Sequence, residues 1–208
     1  MSLLSSQKIT APTNGFDHIH RFWDGSFNKT MAKVQPGECY VSWGQDLITT
    51  VLGSCVSVCV RSLNHSVGGM NHIMLPEVGG SESVIAEPYR YGAYAMEHLL
   101  NSLFRCGLTR KELEIKVVGG GAVMSSSVNV GARNISFVKQ YLEQESFNVT
   151  ATDVGGNNAR RVVYDVVDGR MLVKHLPIEE TADLTANESQ HADRLSKEQS
   201  ATGEVELF

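Results

Sequence analysis

Residues 51–76, VLGSCVSVCVRSLNHSVGGMNHIMLP, decide the fold. Val56, Val58 and Val60 alternate with Cys55, Ser57 and Cys59, the period of a strand with one apolar face. The valine face is expected to be buried and the cysteines to lie on the other face. The chain then turns back near Leu63-Asn64. A simple hairpin centred there sets Ser57 against Met70 and Cys55 against His72, and keeps Val67 and Ile73 on the valine face. Directly opposed residues have Cβ atoms about 4.5–5.5 Å apart, close enough for a thiol to meet an imidazole. Gly68-Gly69 is where a bulge would shift this register.

Working outward, ECYVSW (38–43) follows the Pro36-Gly37 turn and alternates as a strand does. Residues 88–107 carry Ala93, Met96, Leu99, Leu100 and Leu103 at helical spacing and end at Gly107. LEIKVVGGG (113–121) reads as a strand ending in a flexible turn, and ARNISFVKQYLEQES (132–146) as a second amphipathic helix. Two more strand patterns, FNVTATDVGG and RRVVYDVVDGRMLVKHL, close the chain, with Asp168-Gly169 as a tight-turn signal. The order strands, helix, strand, helix, strands predicts a mixed α/β (α+β) domain rich in antiparallel pairing.

The chain has 208 residues, of which 42% are hydrophobic and 20% charged, so one sizeable core is possible and wholesale disorder is excluded. Three parts are expected: an N-terminal extension (1–33), a domain (34–177) and an acidic C-terminal tail (178–208). The tail has eight acids and two bases, against a net charge of −5 for the whole chain. The domain is therefore almost neutral, which argues against nucleic acid and against a polybasic membrane surface. No apolar run approaches the roughly 20 residues that would cross a bilayer. The N-terminus lacks the pattern of a secretory signal. The four cysteines form no CxxC pair or dense framework, so a reducing cytoplasm and thiols are expected.

Cys55 follows directly on Gly53-Ser54, where backbone can approach a ligand and peptide N–H groups can point at it. A plain thiol titrates near 8.5 and is only a few per cent thiolate at neutral pH. Lowering that to roughly 6 takes about 3.4 kcal/mol, within the means of an imidazolium and one or two backbone donors. Cys55 and His72 would then form a nucleophile with a built-in proton carrier. A lone Cys and a lone His on short strands are more often a structural pair. Zinc fits less well, because no compact set of three or four Cys and His ligands is present, and no cofactor is expected.

PGECYVSWGQDLITTVLGSCVSVCV, then GGMNHIMLP, VVGGGAVM, NVGARN and DVGGNNARRVVYDVVDG, resemble the CheD family of chemoreceptor glutamine deamidases in order and spacing over residues 34–177. The resemblance implies Cys55 as nucleophile, His72 as base and Thr49 as third polar member, with the adjacent Thr50 left open. It also implies an α/β sandwich related to cytotoxic-necrotizing-factor-type deamidases. Gly53 and Ser54 would contribute to the oxyanion and substrate cleft. The implied reaction turns glutamines of methyl-accepting chemotaxis receptor helices into glutamates through a cysteine thioester, without inserting into the membrane. A CheC-type phosphatase is the implied further partner.

Two alternatives stay open: a regulatory module for that phosphatase with a vestigial cysteine site, and a cysteine peptidase or esterase. GGGAVM (119–124) lacks the Lys-Ser/Thr ending of a phosphate loop and is read as a turn. Asn134 is read equally as a helix cap or a substrate contact. Arg160 and Arg161 are read as solvated or as contacts to acidic receptor side chains. Cys59, Cys39 and Cys106 are read as structural.

Overall fold

The computed structural model describes residues 13–75, 86–123 and 130–177. The expected acidic tail, and the possible helix within it, lie outside the described residues. Among the described residues ten strands and two α-helices follow in the order β1 (His20–Asp24), β2 (Lys29–Lys33), β3 (Cys39–Ser42), β4 (Asp46–Leu52), β5 (Val56–Ser62), β6 (Gly68–Asn71), α1 (Ala86–Arg105), β7 (Leu113–Gly119), α2 (Val130–Gln144), β8 (Val149–Val154), β9 (Arg160–Tyr164) and β10 (Met171–His175). They form two five-stranded sheets, ordered β1-β2-β4-β9-β10 and β3-β6-β5-β7-β8. Most neighbours are antiparallel; β2 with β4 and β7 with β8 are parallel. The mixed α/β, antiparallel-rich composition is what the element order predicts, and the packed sheets with helices outside are what the family resemblance implies.

Residues 20–33, set apart by composition as an extension, are two strands of the first sheet, so the domain begins earlier than residue 34. Their attachment is chemical as well as topological. Arg21 donates to both carboxylate oxygens of the buried Asp46 at 2.9 and 2.8 Å, and the Tyr40 hydroxyl donates to the same carboxylate at 2.5 Å. A buried carboxylate needs such partners, and these tie β1 to β4 and, through β3, one sheet to the other. Arg160, expected at the surface, is 3% exposed. Its Nε donates to Asp153 at 2.9 Å, joining β9 to β8 across the sandwich.

Both faces of β5 are buried. The valine face looks toward α1: Gly69, the partner of Val60, lies so close to Leu99 that a Cβ would come within 2.8 Å of it. The cysteine face looks toward the first sheet, so Cys55, Ser57 and Cys59 are each 0% exposed. The layers are thus sheet, sheet and helices, each apolar face covered by the next. Full burial of each Val, Leu or Ile in these layers is worth about 1.5–3 kcal/mol.

The β5–β6 register differs from the simple hairpin. Cys59 faces Met70 and Val56 bridges to Ile73, a shift of two residues. The cause is the turn. Ser62 Oγ accepts from the N–H groups of Asn64 and His65, each at 3.1 Å, and Ser62 N–H donates to Val67 O at 2.8 Å. That moves the centre of the turn one residue along the chain. A shift of two preserves which face each side chain occupies. The β9–β10 hairpin forms as expected, but its connection spans residues 165–170 rather than Asp168-Gly169 alone.

Candidate functional site

The ladder positions Cys55 and His72 on the same face of the β5–β6 ribbon. Val56 and Ile73 exchange both backbone hydrogen bonds, at 3.0 and 2.8 Å, so the residues flanking them point to the opposite face. In this register Ser57 lies opposite His72, and Cys55 lies one diagonal step away rather than directly across. Diagonal neighbours are about 7–8 Å apart at Cα, a span a long side chain such as imidazole bridges.

His72 is 2% exposed and held at backbone and ring. It has left β6, and its backbone pairs with the turn before β3: its N–H donates to Glu38 O at 2.9 Å, and its carbonyl accepts from Gly37 N–H at 2.9 Å. The ring meets Thr50, whose Oγ1 is 2.9 Å from Nδ1. Thr50 Oγ1 is also 2.7 Å from Val34 O, which can only accept, so the single hydroxyl proton goes there. Nδ1 must then be the N–H that donates to Thr50, and in the neutral ring the lone pair resides on Nε2. A buried, oriented imidazole with its basic nitrogen fixed in this way is equipped to take a proton from a thiol.

Thr49 is not the residue that holds the ring. Alternation along β4 turns it the other way, and its hydroxyl donates to Val162 O at 2.8 Å. Counting six residues back from the cysteine points to Thr49; the strand's pleat instead turns Thr50 toward the ring.

The turn carrying Cys55 is fastened through its three carbonyls. Gly53 O accepts from Gly121 N–H at 2.8 Å, Cys55 O from Gly120 N–H at 2.7 Å, and Ser54 O from Asn134 Nδ2 at 2.9 Å. Peptide groups are planar and trans, so anchoring the carbonyls of Gly53 and Ser54 turns the N–H groups of Ser54 and Cys55 away from those anchors. The triple glycine is therefore a brace for the cysteine turn, not a phosphate loop. Its closeness to α2 requires glycine: a Cβ on Gly131 would lie 2.5 Å from Gly120 O.

A second cysteine also touches a histidine. Cys39 Sγ lies 3.0 Å from His98 Nδ1. Burial, and then the charge of Glu38, push that thiol up to about 12, and burial lowers the His98 imidazole. Both groups therefore stay neutral near pH 7, so contact alone does not make a nucleophile. Burial likewise pushes the Cys59 thiol far above the ordinary range. Among the described residues no group of three or more His, Cys, Asp or Glu is placed to hold a metal ion.

The CheD chemotactic sensory transduction family matches residues 74–175. Proteins named probable chemoreceptor glutamine deamidase CheD align over nearly the whole chain. That of Saccharophagus degradans is 42% identical, covering 93% of this chain and 92% of its own length. That of Hahella chejuensis is also 42% identical, with the same coverage. That of Janthinobacterium sp. is 45% identical, covering 90% and 93%. The chain belongs to the CheD family. The CheD family match begins just after His72, while the whole-chain alignments take in the Cys55 turn and the His72 strand as well.

Proposed function

We propose that this protein is a chemoreceptor glutamine deamidase in which Cys55, His72 and Thr50 do the chemistry. Its relatives named probable chemoreceptor glutamine deamidase support the reaction class. The observation that carries the residue assignment is the Val34–Thr50–His72 chain of hydrogen bonds, which leaves Nε2 as the basic nitrogen on the face shared with Cys55.

The reaction then runs as follows. Nε2 takes the proton of the Cys55 thiol, and the sulfur attacks the side-chain amide carbon of a receptor glutamine. The carbonyl oxygen becomes an oxyanion, stabilised by backbone N–H groups of the Gly53–Cys55 turn. Each such donor is worth about 2.7–4 kcal/mol in a transition state. The imidazolium gives its proton to the amide nitrogen, the C–N bond breaks and ammonia leaves. Nε2 next deprotonates a water that attacks the thioester carbon; the C–S bond breaks, the sulfur regains the proton, and the side chain is now glutamate. Thr50 keeps Nδ1–H engaged throughout, the orienting task an Asp or Asn performs in other triads. Its neutral oxygen does so without a fixed negative charge.

The substrate is the cytoplasmic, glutamine-bearing part of a methyl-accepting chemotaxis receptor, and the expected partner besides it is a CheC-type phosphatase. The test is incubation with a receptor cytoplasmic fragment, read by mass spectrometry for amide-to-acid conversion without chain cleavage. Cys55→Ala and His72→Ala should abolish conversion. Release of peptides would point to a peptidase, and full deamidation by Cys55→Ala would overturn the site. Phosphatase binding without any conversion by the wild type would favour the regulatory reading.

A further inference from the structure

We infer that Asn134 is a positioning residue of the reaction, the part that holds the nucleophile turn at a fixed distance from the strand carrying the base. The inference rests on the reading of Cys55 and His72 given above. Asn134 lies in the second turn of α2 and is 0% exposed. It neither caps its helix nor faces solvent. Its Nδ2 donates to Ser54 O at 2.9 Å, one residue before Cys55, and its Oδ1 accepts from Leu75 N–H at 3.2 Å, three residues after His72. The two partners dictate the orientation, because a carbonyl can only accept and an N–H can only donate. A side-chain amide carries its donor and its acceptor on two separate atoms, so it bridges the two segments without charge. Its neighbour Arg133 adds a third tie, Nη2 donating to Leu75 O at 3.2 Å.

The bridge has two consequences. First, it couples two segments at one level: the cysteine turn, which precedes β5, and Leu75, which lies beyond the Val56–Ile73 bridge. Second, the bond to Ser54 O polarises the Ser54–Cys55 peptide, making the Cys55 N–H a stronger donor at the reacting centre. Removing the bridge should therefore act on the chemical step, since misplacement of about 1 Å in a reacting pair can cost a hundred-fold in rate.

Asn134→Asp is the discriminating variant, because it keeps the shape and inverts the contact. As carboxylate it sets an oxygen against Ser54 O; once protonated, it can donate there and still accept from Leu75 N–H. We expect kcat on the receptor fragment to fall between about ten- and a hundred-fold near neutral pH, with KM within about two-fold. The ratio of variant to wild-type kcat should rise as pH is lowered, and the pH midpoint of Cys55 carboxamidomethylation should move upward. A folded variant with wild-type kcat and an unmoved alkylation profile overturns the inference, as does a kcat ratio that stays flat with pH. Asn134→Ser, whose neutral hydroxyl can retain one of the two bonds, takes over the kcat and KM measurements if the aspartate variant does not fold: a lower kcat with KM held supports the inference, and wild-type kcat overturns it. Running Cys55→Ala in parallel separates the two levels: a Cys55→Ala protein that still deamidates refutes the site itself, whatever Asn134 does.

Discussion

Replacing Thr50 by valine keeps the branched shape of the side chain and deletes one oxygen. That oxygen sits 2.9 Å from His72 Nδ1 and 2.7 Å from Val34 O, with Thr50 1% and His72 2% exposed, so water does not readily take its place. A buried donor that loses its partner costs about 1–3 kcal/mol. The neutral ring can relieve that cost by moving its proton to Nε2, and in that tautomer it no longer accepts the thiol proton. At about 1.36 kcal/mol per ten-fold in rate, the expected loss in kcat is roughly five- to a hundred-fold. The loss should fall on kcat more than on KM, because the backbone bonds of His72 to Gly37 and Glu38 remain and keep the strand in place. Thr49→Val is the matched control: it removes a hydroxyl bonded to Val162 O on the other face of β4, and activity should stay within about two-fold of wild type. The assay is steady-state ammonia release from the receptor fragment, with thermal melting to confirm folding. Wild-type kcat in Thr50→Val, or greater damage from Thr49→Val, would refute the tautomer argument.

Iodoacetamide carries a carboxamide the size of a glutamine head group, so at neutral pH it should modify Cys55 first. Cys39, raised to about 12, and Cys59, raised further, should stay unmodified in the folded protein, and peptide mapping that finds either ahead of Cys55 would count against the site. Among the described residues the buried Ser57 Oγ has no hydrogen-bond partner. Ser57→Ala should therefore leave stability unchanged or raise it by about 1 kcal/mol, measured by urea unfolding; a clear loss would mean that the hydroxyl is engaged. Burial raises the Glu114 carboxyl, but hydrogen bonds and charge from Arg61 and Lys116 outweigh it and hold the group below the ordinary value. Its folded pKa is depressed, so its contribution is complete above the unfolded carboxylate pKa and is lost as pH falls through the folded one. Glu114→Gln should accordingly be less stable than wild type at pH 6 and approach it near pH 3; a gap that widens on acidification would reverse the sign.

Most of the elements, and Cys55 and His72 as the candidate nucleophile and base, were legible in the sequence. Alternation in VLGSCVSVCV and helical spacing in residues 93–103 follow from the pleat and from the turn of a helix, and both are local properties. The same parity put Cys55 and His72 on one face, and it survived a register error because the slip was by two residues. Choosing between Thr49 and Thr50 needed the tertiary structure, since adjacent residues on a strand face opposite sides and only the position of His72 says which side matters. Tertiary structure likewise decided that residues 20–33 belong to the first sheet, that Arg160 is buried on Asp153, and that Asn134 joins Ser54 to Leu75. Each of these depends on separate elements meeting in space. Their partners are backbone groups or single charges that leave no periodic mark on the sequence.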